Sequence, residues 1–178
     1  MGIATRVQHF RHTLQVGRRN HLSNNCRAIA VAARPLCATR SLFVVGGHGP
    51  MQDLAVHPTI SDLLAANLDD ATKIVGAVCH GPAAFLPAHR ADGTWLFAGR
   101  RLTSFTNEEE TAATLAGNAP WLLEDRLRLA GARFEAAAAW TSHVVVDGNL
   151  VTGQQNASSG AAASKIMEQL GRRTSNVA

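Results

Sequence analysis

Acidic residues are missing from the first 52 positions of this 178-residue chain, which hold seven arginines and no lysine. The segment therefore carries a formal charge of +7 and residues 53–178 carry −3, in line with the net charge of +4. A basic surface for nucleic acid would have to lie in the first segment alone. That segment does not interleave aromatic with basic residues and contains no recognisable nucleic-acid module, so we predict no nucleic-acid partner.

Cysteine is also scarce, and Cys26, Cys37 and Cys79 form neither a disulfide framework nor a zinc-binding pattern. No apolar run approaches the roughly 20 residues that cross a bilayer. These absences predict a cytoplasmic protein with no membrane partner, in which any cysteine chemistry uses a free thiol. An arginine-rich, acid-free start is also typical of organelle transit peptides, so targeting to an organelle stays open.

The domain organisation follows from length and composition. A chain with 46% apolar and 17% charged residues is typical of a globular protein, and its length suits one domain with a substantial core. We predict that domain over residues 42–172, followed by a tail at 173–178. Residues 1–41 are an atypical basic segment with one strand-like patch, "AIAVAA". We predict that this segment lies outside the folded domain, either as a disordered stretch or as an inauthentic start.

The pattern after residue 41 predicts an α/β fold. Two continuous apolar strands, "SLFVVGG" and "KIVGAVC", flank the helical spacing of "HPTISDLLAANLDD", which predicts a parallel βαβ unit. Further helices are predicted in "HGPAAFLPAH", "NEEETAATLAG", "APWLLEDRLRLAGA" and "SSGAAASKIMEQLG". Further strands are predicted in "WLFAGRRLTSF", "FEAAAAW" and "HVVVDGNLVTG", the last with a hairpin turn at Asp147-Gly148. We therefore predict a doubly wound, mostly parallel sheet flanked by helices.

Cys79 is the first candidate functional residue, because it ends a buried strand directly before a predicted helix. In a doubly wound sheet, reactive groups collect at the carboxyl ends of the strands. A helix start and nearby backbone N–H groups favour the thiolate, and a tight strand-to-helix turn pushes the side chain out of the core. The alternative interpretation is a buried cysteine that only fills space.

His80 and Glu110 are candidate partners of that cysteine. On a sharp turn His80 can swing beside Cys79, although a single histidine there is more often a polar residue at a helix start. Glu110 is a candidate to orient the imidazole. The alternative is a capping box formed by Asn107-x-x-Glu110, in which the glutamate only satisfies a backbone donor.

The glycine cluster "VVGGHGPM" is a second candidate region. Its backbone N–H groups can approach a ligand closely and form an oxyanion hole opposite Cys79 if the two strands are neighbours. It matches neither the phosphate-loop nor the dinucleotide-binding spacing. The polar cluster that contains His143 and "TGQQNASSG" is interpreted as the cap of the last helix.

Taken together, these stretches resemble the ThiJ/PfpI superfamily of the class I glutamine amidotransferase-like fold. The matching stretches run in order over residues 42–170: "FVVGGHGPMQDL", "IVGAVCHGPAAF", "RLTSFTNEEE", "AGARFE" and "HVVVDGNLVTGQQNASS". The resemblance implies a flavodoxin-like three-layer sandwich. It also implies a catalytic triad of Cys79, His80 and Glu110, with an oxyanion and substrate pocket at Gly47, His48 and Gly49.

"AVCHGPAA" and "SFTNEEE" most resemble the branch that contains glyoxalase III enzymes and holding chaperones. The implied activity is conversion of methylglyoxal to a 2-hydroxy acid, a lyase reaction without cofactor or metal, or a related protein deglycation. The alternatives are a stress-related holding chaperone for unfolded client proteins, a catalytically impaired member, and a cysteine peptidase-like hydrolase. A homodimer is implied by the resemblance alone.

One departure from the family pattern bears on activity. Family members carry a glutamate on an early helix that touches the cysteine and carries a proton, whereas this chain has no acidic residue before Asp53. The usual first strands are not recognisable either. We therefore expect a fold that lacks those strands and an impaired activity, because the loss of one general acid or base typically lowers the rate by about 100- to 10,000-fold.

Overall fold

The computed structural model describes residues 39–114, 116–117 and 119–175. The predictions for residues 1–38, including the "AIAVAA" patch, and for residues 176–178 lie outside this part of the chain. None of the helices in the described part combines the length and the apolar character that a membrane span requires.

A four-stranded sheet forms the centre of the fold. Its strands are β1 (Ser41–Val44), β2 (Ile74–Val78), β5 (Val144–Asp147) and β6 (Leu150–Gly153), and they lie in the order β1-β2-β6-β5. β1, β2 and β6 run parallel, and β5 pairs antiparallel with β6 through the predicted turn at Gly148. The predicted parallel unit of two strands around a helix is therefore present, with β2 buried along its whole length.

A second, two-stranded parallel sheet joins β3 (Arg101–Leu102) to β4 (Arg133–Phe134). The prediction of two strands in "WLFAGRRLTSF" is wrong in part, because the residues before β3 form turns. Their apolar side chains still enter the core: Phe97 is fully buried and stacks on Phe85 at 4.1 Å between ring centroids. The apolar run thus reflected burial rather than extended backbone. "FEAAAAW" likewise contributes only the end of β4 to a strand.

Within the described residues, five α-helices surround the sheets: α1 (Gly49–Gln52), α2 (Pro58–Leu68), α3 (Asn107–Ala112), α4 (Leu123–Leu129) and α5 (Ser159–Ser175). Short 3₁₀ helices cover Leu54–Val56, Gly81–Phe85 and Asn156–Ser158. α2 matches the predicted helix, and His57 accepts a hydrogen bond from Thr59 N–H at its start. The predicted helix after Cys79 is only the short 3₁₀ helix Gly81–Phe85. The helix predicted in "APWLLEDRLRLAGA" is present as α4, which begins at Leu123.

Helices cover both faces of the main sheet, which gives the predicted three-layer α/β architecture. On one face, Val75 and Ala77 of β2 belong to a large apolar core with Leu64 of α2. On the other face, Ile74 packs with Ile166 of α5. Because β2 is covered on both sides, its carboxyl end is a rigid platform for the residues that follow it.

Candidate active site

Cys79 directly follows β2 and has a left-handed backbone conformation, with φ of 61°. Its N–H donates to the carbonyl of Gly153 and its own carbonyl accepts from Phe105 N–H, both at 3.0 Å. A non-glycine residue in this region costs about 1–3 kcal/mol and persists when surrounding contacts enforce it. The sharp turn leaves the side chain half-buried, as the nucleophile interpretation requires and as the space-filling alternative does not.

Two glycines make room for this turn. A Cβ on Gly46 would lie 2.5 Å from the Cβ of Cys79 and 2.8 Å from the carbonyl oxygen of Val78. A Cβ on Gly81 would lie 2.5 Å from the carbonyl oxygen of Val44. The ends of β1 and β2 therefore approach so closely that no larger residue fits at either position.

His80 lies beside the thiol and is buried. Its Nδ1 is 3.4 Å from Cys79 Sγ, and its Nε2 is 2.6 Å from Glu110 Oε2. The ring of Phe105 covers it at 4.4 Å between centroids. The structure thus brings the three predicted residues together in the order thiol, imidazole and carboxylate.

Glu110 is available to His80 because a different glutamate caps its helix. Thr106 Oγ1 accepts from Glu109 N–H, and the Glu109 carboxylate accepts from Thr106 N–H at the start of α3. The alternative prediction of a capping box between Asn107 and Glu110 is therefore wrong by one residue. The shift turns Glu110 inward, where it is 3% exposed.

His48 contacts this carboxylate as well. Its Nε2 is 2.9 Å from Glu110 Oε1, and its ring lies 4.1 Å from that of His80 between centroids. We expected His48 in the oxyanion pocket, and its membership of the carboxylate network was not predicted. The backbone N–H groups of Gly47 and His80 act on the Cys79 sulfur, whereas Gly49 is buried in the first turn of α1.

Burial sets the protonation states at this site. It raises the pKa of the Cys79 thiol above its ordinary value, and the N–H groups of Gly47 and His80 only partly oppose this. The prediction that the turn favours the thiolate is therefore wrong, because the net effect on the pKa of Cys79 is upward. Burial also lowers the pKa of His80, against an opposing hydrogen bond to Glu110. The free site thus favours a thiol beside a neutral imidazole.

Glu110 remains a carboxylate in this arrangement. Burial acts to raise its pKa, but the hydrogen bonds with His48 and His80 together outweigh burial and lower the pKa below its ordinary value. Because both imidazoles contact this one carboxylate, Glu110 holds the rings of His48 and His80 in place.

A buried glutamate that the sequence interpretation overlooked supports one wall of the site. Glu109 is fully buried and accepts from Trp140 N–H at 2.9 Å and from the side-chain amide of Gln154 at 3.0 Å. Trp140 has φ of 65° and packs edge-on against Phe105 at 5.8 Å between ring centroids. We interpreted Gln154 as part of the cap of the last helix, but it contacts Glu109, and Gln155 caps the short 3₁₀ helix Asn156–Ser158 that precedes α5. The signal in the sequence was the number of glutamates in "NEEE": a capping box uses one of them, so the others are available for a different role.

Comparison with known proteins fits this geometry. A cysteine on a strained turn at the end of a central strand lies beside an imidazole and a carboxylate, in an α/β fold with a mostly parallel sheet. The DJ-1/PfpI family model matches residues 36–169, and the chain belongs to that family.

The similar proteins have several names. The chain is 32% identical to glutamine amidotransferase-like class 1 domain-containing protein 1 of Bos taurus, over 75% of this chain and 60% of that protein. It is 32% identical to glutathione-independent glyoxalase HSP31 of Saccharomyces cerevisiae, over 72% of this chain and 56% of that protein. The chain thus spans about 60% of the length of the relatives it matches.

Solved structures agree with the fold. Rapid Encystment Protein 24 kDa of Francisella tularensis has a TM-score of 0.71 at 30% identity, covering 78% of this chain and 61% of that one. Glyoxalase III of Candida albicans has a TM-score of 0.63 at 26% identity, covering 73% of this chain and 56% of that one.

Proposed function

We propose that this chain is a cofactor-independent glyoxalase that converts methylglyoxal and water to lactate, with Cys79 as nucleophile. The observation that carries this proposal is the contact series from Cys79 Sγ through the His80 imidazole to Glu110, built on a strained turn. Relatives named glutathione-independent glyoxalase or glyoxalase 3 support the choice of reaction.

The first step is attack on the aldehyde carbon. His80 Nδ1 accepts the thiol proton as Sγ forms a bond to that carbon, which is the usual activation of a cysteine by a neighbouring base. The aldehyde oxygen becomes an alkoxide, and the N–H groups of Gly47 and His80 are the donors that we assign to it. The imidazolium then returns its proton to the alkoxide, which leaves a hemithioacetal.

The second stage moves hydrogen between the two carbons. Neutral His80 removes the proton from the former aldehyde carbon, giving an enediolate and an imidazolium. The hydroxyl proton of the former aldehyde passes to the other oxygen, and the imidazolium delivers its proton to the neighbouring carbon. The product is a lactoyl thioester of Cys79. Water hydrolyses the thioester, releases lactate and restores the thiol. Glu110 contributes by keeping the His80 ring oriented and by stabilising its protonated form.

The missing early glutamate sets the expected rate. One general acid or base contributes about 100- to 10,000-fold to the rate, so we expect turnover lower by that factor than in relatives that carry the glutamate.

The role of Cys79 is tested by measuring lactate formation for this chain, for Cys79→Ala and for a Cys26→Ser/Cys37→Ser control. We expect the first and third to agree and Cys79→Ala to be inactive. Equal lactate formation by this chain and Cys79→Ala would remove the proposal, and release of sugar adducts or peptide cleavage instead would redirect it to deglycation or hydrolysis.

A holding chaperone is the second candidate function. Phe43 and Val45 are large apolar side chains that are 37% and 55% exposed in and just after β1. Such side chains can bind apolar segments of unfolded clients. Suppression of client aggregation is compared for this chain and Cys79→Ser. Protection that survives the substitution favours the chaperone, and loss of both protection and lactate formation favours the enzyme.

A further inference from the structure

Glu110 lies between two imidazoles, and this arrangement has a capacity beyond orienting His80. The Nε2 atoms of His48 and His80 each contact a different oxygen of the carboxylate, at 2.9 and 2.6 Å. The candidate ligand atoms of all three residues lie within 4.8 Å of one another. They come from three separate elements of the chain: the loop after β1, the turn after β2 and helix α3.

Two imidazole nitrogens and one carboxylate form a donor set that suits zinc and neighbouring divalent metals. Ligand bonds of about 2.0–2.2 Å in a tetrahedron place donor atoms roughly 3.3–3.6 Å apart. A bound metal would therefore replace the two direct hydrogen bonds, and the contacts of 2.9 and 2.6 Å to Glu110 would lengthen to make room for it. The His48 side chain is 37% exposed, whereas those of His80 and Glu110 are at most 5% exposed. The edge at His48 therefore offers an entry route and room for water as a fourth ligand.

We propose that His48, His80 and Glu110 form a binding site for a divalent transition metal such as Zn²⁺, and that the bound metal disables Cys79. The metal takes the lone pair of His80 Nε2, so the proton of the neutral ring must reside on Nδ1. Nδ1 faces Cys79 Sγ at 3.4 Å and then donates toward the sulfur instead of accepting its proton. The ring stays neutral, no group is oxidised or reduced, and removal of the metal restores the base.

Direct metal binding tests the site without reference to any turnover, so its outcome is separate from that of the proposed glyoxalase. The full chain with Cys26→Ser and Cys37→Ser is titrated with Co²⁺, and bound metal and its absorption spectrum are recorded. We expect an equivalent of bound Co²⁺ with the visible bands of nitrogen and oxygen ligands and no thiolate charge-transfer band. Replacement of Cys79 by Ser should leave both the stoichiometry and the spectrum unchanged.

Single variants identify the ligands. His48→Asn and Glu110→Gln should each weaken Co²⁺ binding by about 100-fold or more, because even residues that only support a ligand affect affinity by 10- to 100-fold. The matched control is His89→Asn at an exposed loop histidine, which should bind as the parent does. Circular dichroism and melting temperature establish that each variant is folded. Binding that survives in folded His48→Asn and Glu110→Gln, or that is lost in Cys79→Ser, would overturn the site.

The effect on the thiol has its own readout. In the same background, saturating Zn²⁺ should slow alkylation of Cys79 by iodoacetamide by about 100-fold, the lower end of what a general base contributes. A chelator should restore the rate, and His48→Asn should be insensitive to the metal. Unchanged alkylation at a metal concentration that fills the site would contradict the proposed loss of the base.

Discussion

At the scale of single residues, burial and hydrogen bonding shift the pKa of the Cys79 thiol in opposite directions. Burial raises the pKa of its thiol, and the N–H groups of Gly47 and His80 lower it by less. A cysteine of this kind reacts through its neighbouring base rather than through a standing thiolate. The role assigned to His80 in the first step follows from this balance.

The titration of the Cys79 thiol tests the balance. In the Cys26→Ser/Cys37→Ser background, the ultraviolet absorbance of the thiolate, measured as the difference from the same protein with Cys79→Ser, should titrate with a midpoint above the usual thiol value of about 8.5. The sign follows from burial, which disfavours the charged form and moves the pKa of an acid upward. A midpoint well below 8.5 would contradict this and restore the thiolate expectation.

Glu110 predicts an acid-dependent contribution to stability. Its pKa in the folded protein is lowered, net of burial, by hydrogen bonds with His48 and His80. This contribution to the free energy of unfolding is present above the unfolded value of about 4.3 and is lost as the pH falls through the folded pKa. The melting temperature of the parent should exceed that of Glu110→Gln near neutral pH, and the gap should close below about pH 4. A gap that is constant with pH would rule out this source of stability.

At the scale of elements, the cap at the start of α3 determines which glutamate contacts His80. Thr106 and Glu109 satisfy the first backbone donors of the helix, so Glu110 points to His80. Thr106→Ala should cost about 1 kcal/mol of unfolding free energy, the usual loss of a cap. Asn107→Ala, at the position first expected to cap, should cost about 0.5 kcal/mol or less. Urea unfolding measures both, and the reverse order would place the cap one residue later.

Much of the element pattern was accessible from the sequence. β1, β2, α2 and the hairpin of β5 and β6 follow from apolar periodicity and turn residues, and the resemblance placed Cys79, His80 and Glu110 together. The register of the cap, the contact of His48 with Glu110 and the buried role of Glu109 did not follow. The cap register was missed although it is local, because both Thr106-x-x-Glu109 and Asn107-x-x-Glu110 fit a capping box. The contacts of His48 and Glu109 join residues that are distant in sequence and meet only after folding. Local patterns carry no information on these long-range contacts.

At the scale of the whole molecule, the site joins segments that the sheet brings together. The loop after β1 supplies His48, the turn after β2 supplies Cys79 and His80, and α3 supplies Glu110. Gly153, at the end of β6, fixes the Cys79 backbone. Any change that separates β1 from β2 should therefore disturb Cys79 and the side chains around it together.

The outer side of β1 is where we expect self-association. Within the described part of the chain, β1 pairs with β2 alone, and Val45 beside it is 55% exposed. An open strand edge with apolar neighbours favours pairing with a second chain, and a lysine there opposes it. Val45→Lys should weaken association at least about tenfold, or 1.4 kcal/mol, in sedimentation velocity over a concentration series. Leu129→Lys, at a leucine 82% exposed in α4, is the matched control and should associate as the parent does. Equal weakening by both substitutions would trace the effect to added charge rather than to the edge. No weakening by Val45→Lys would contradict self-association through this edge.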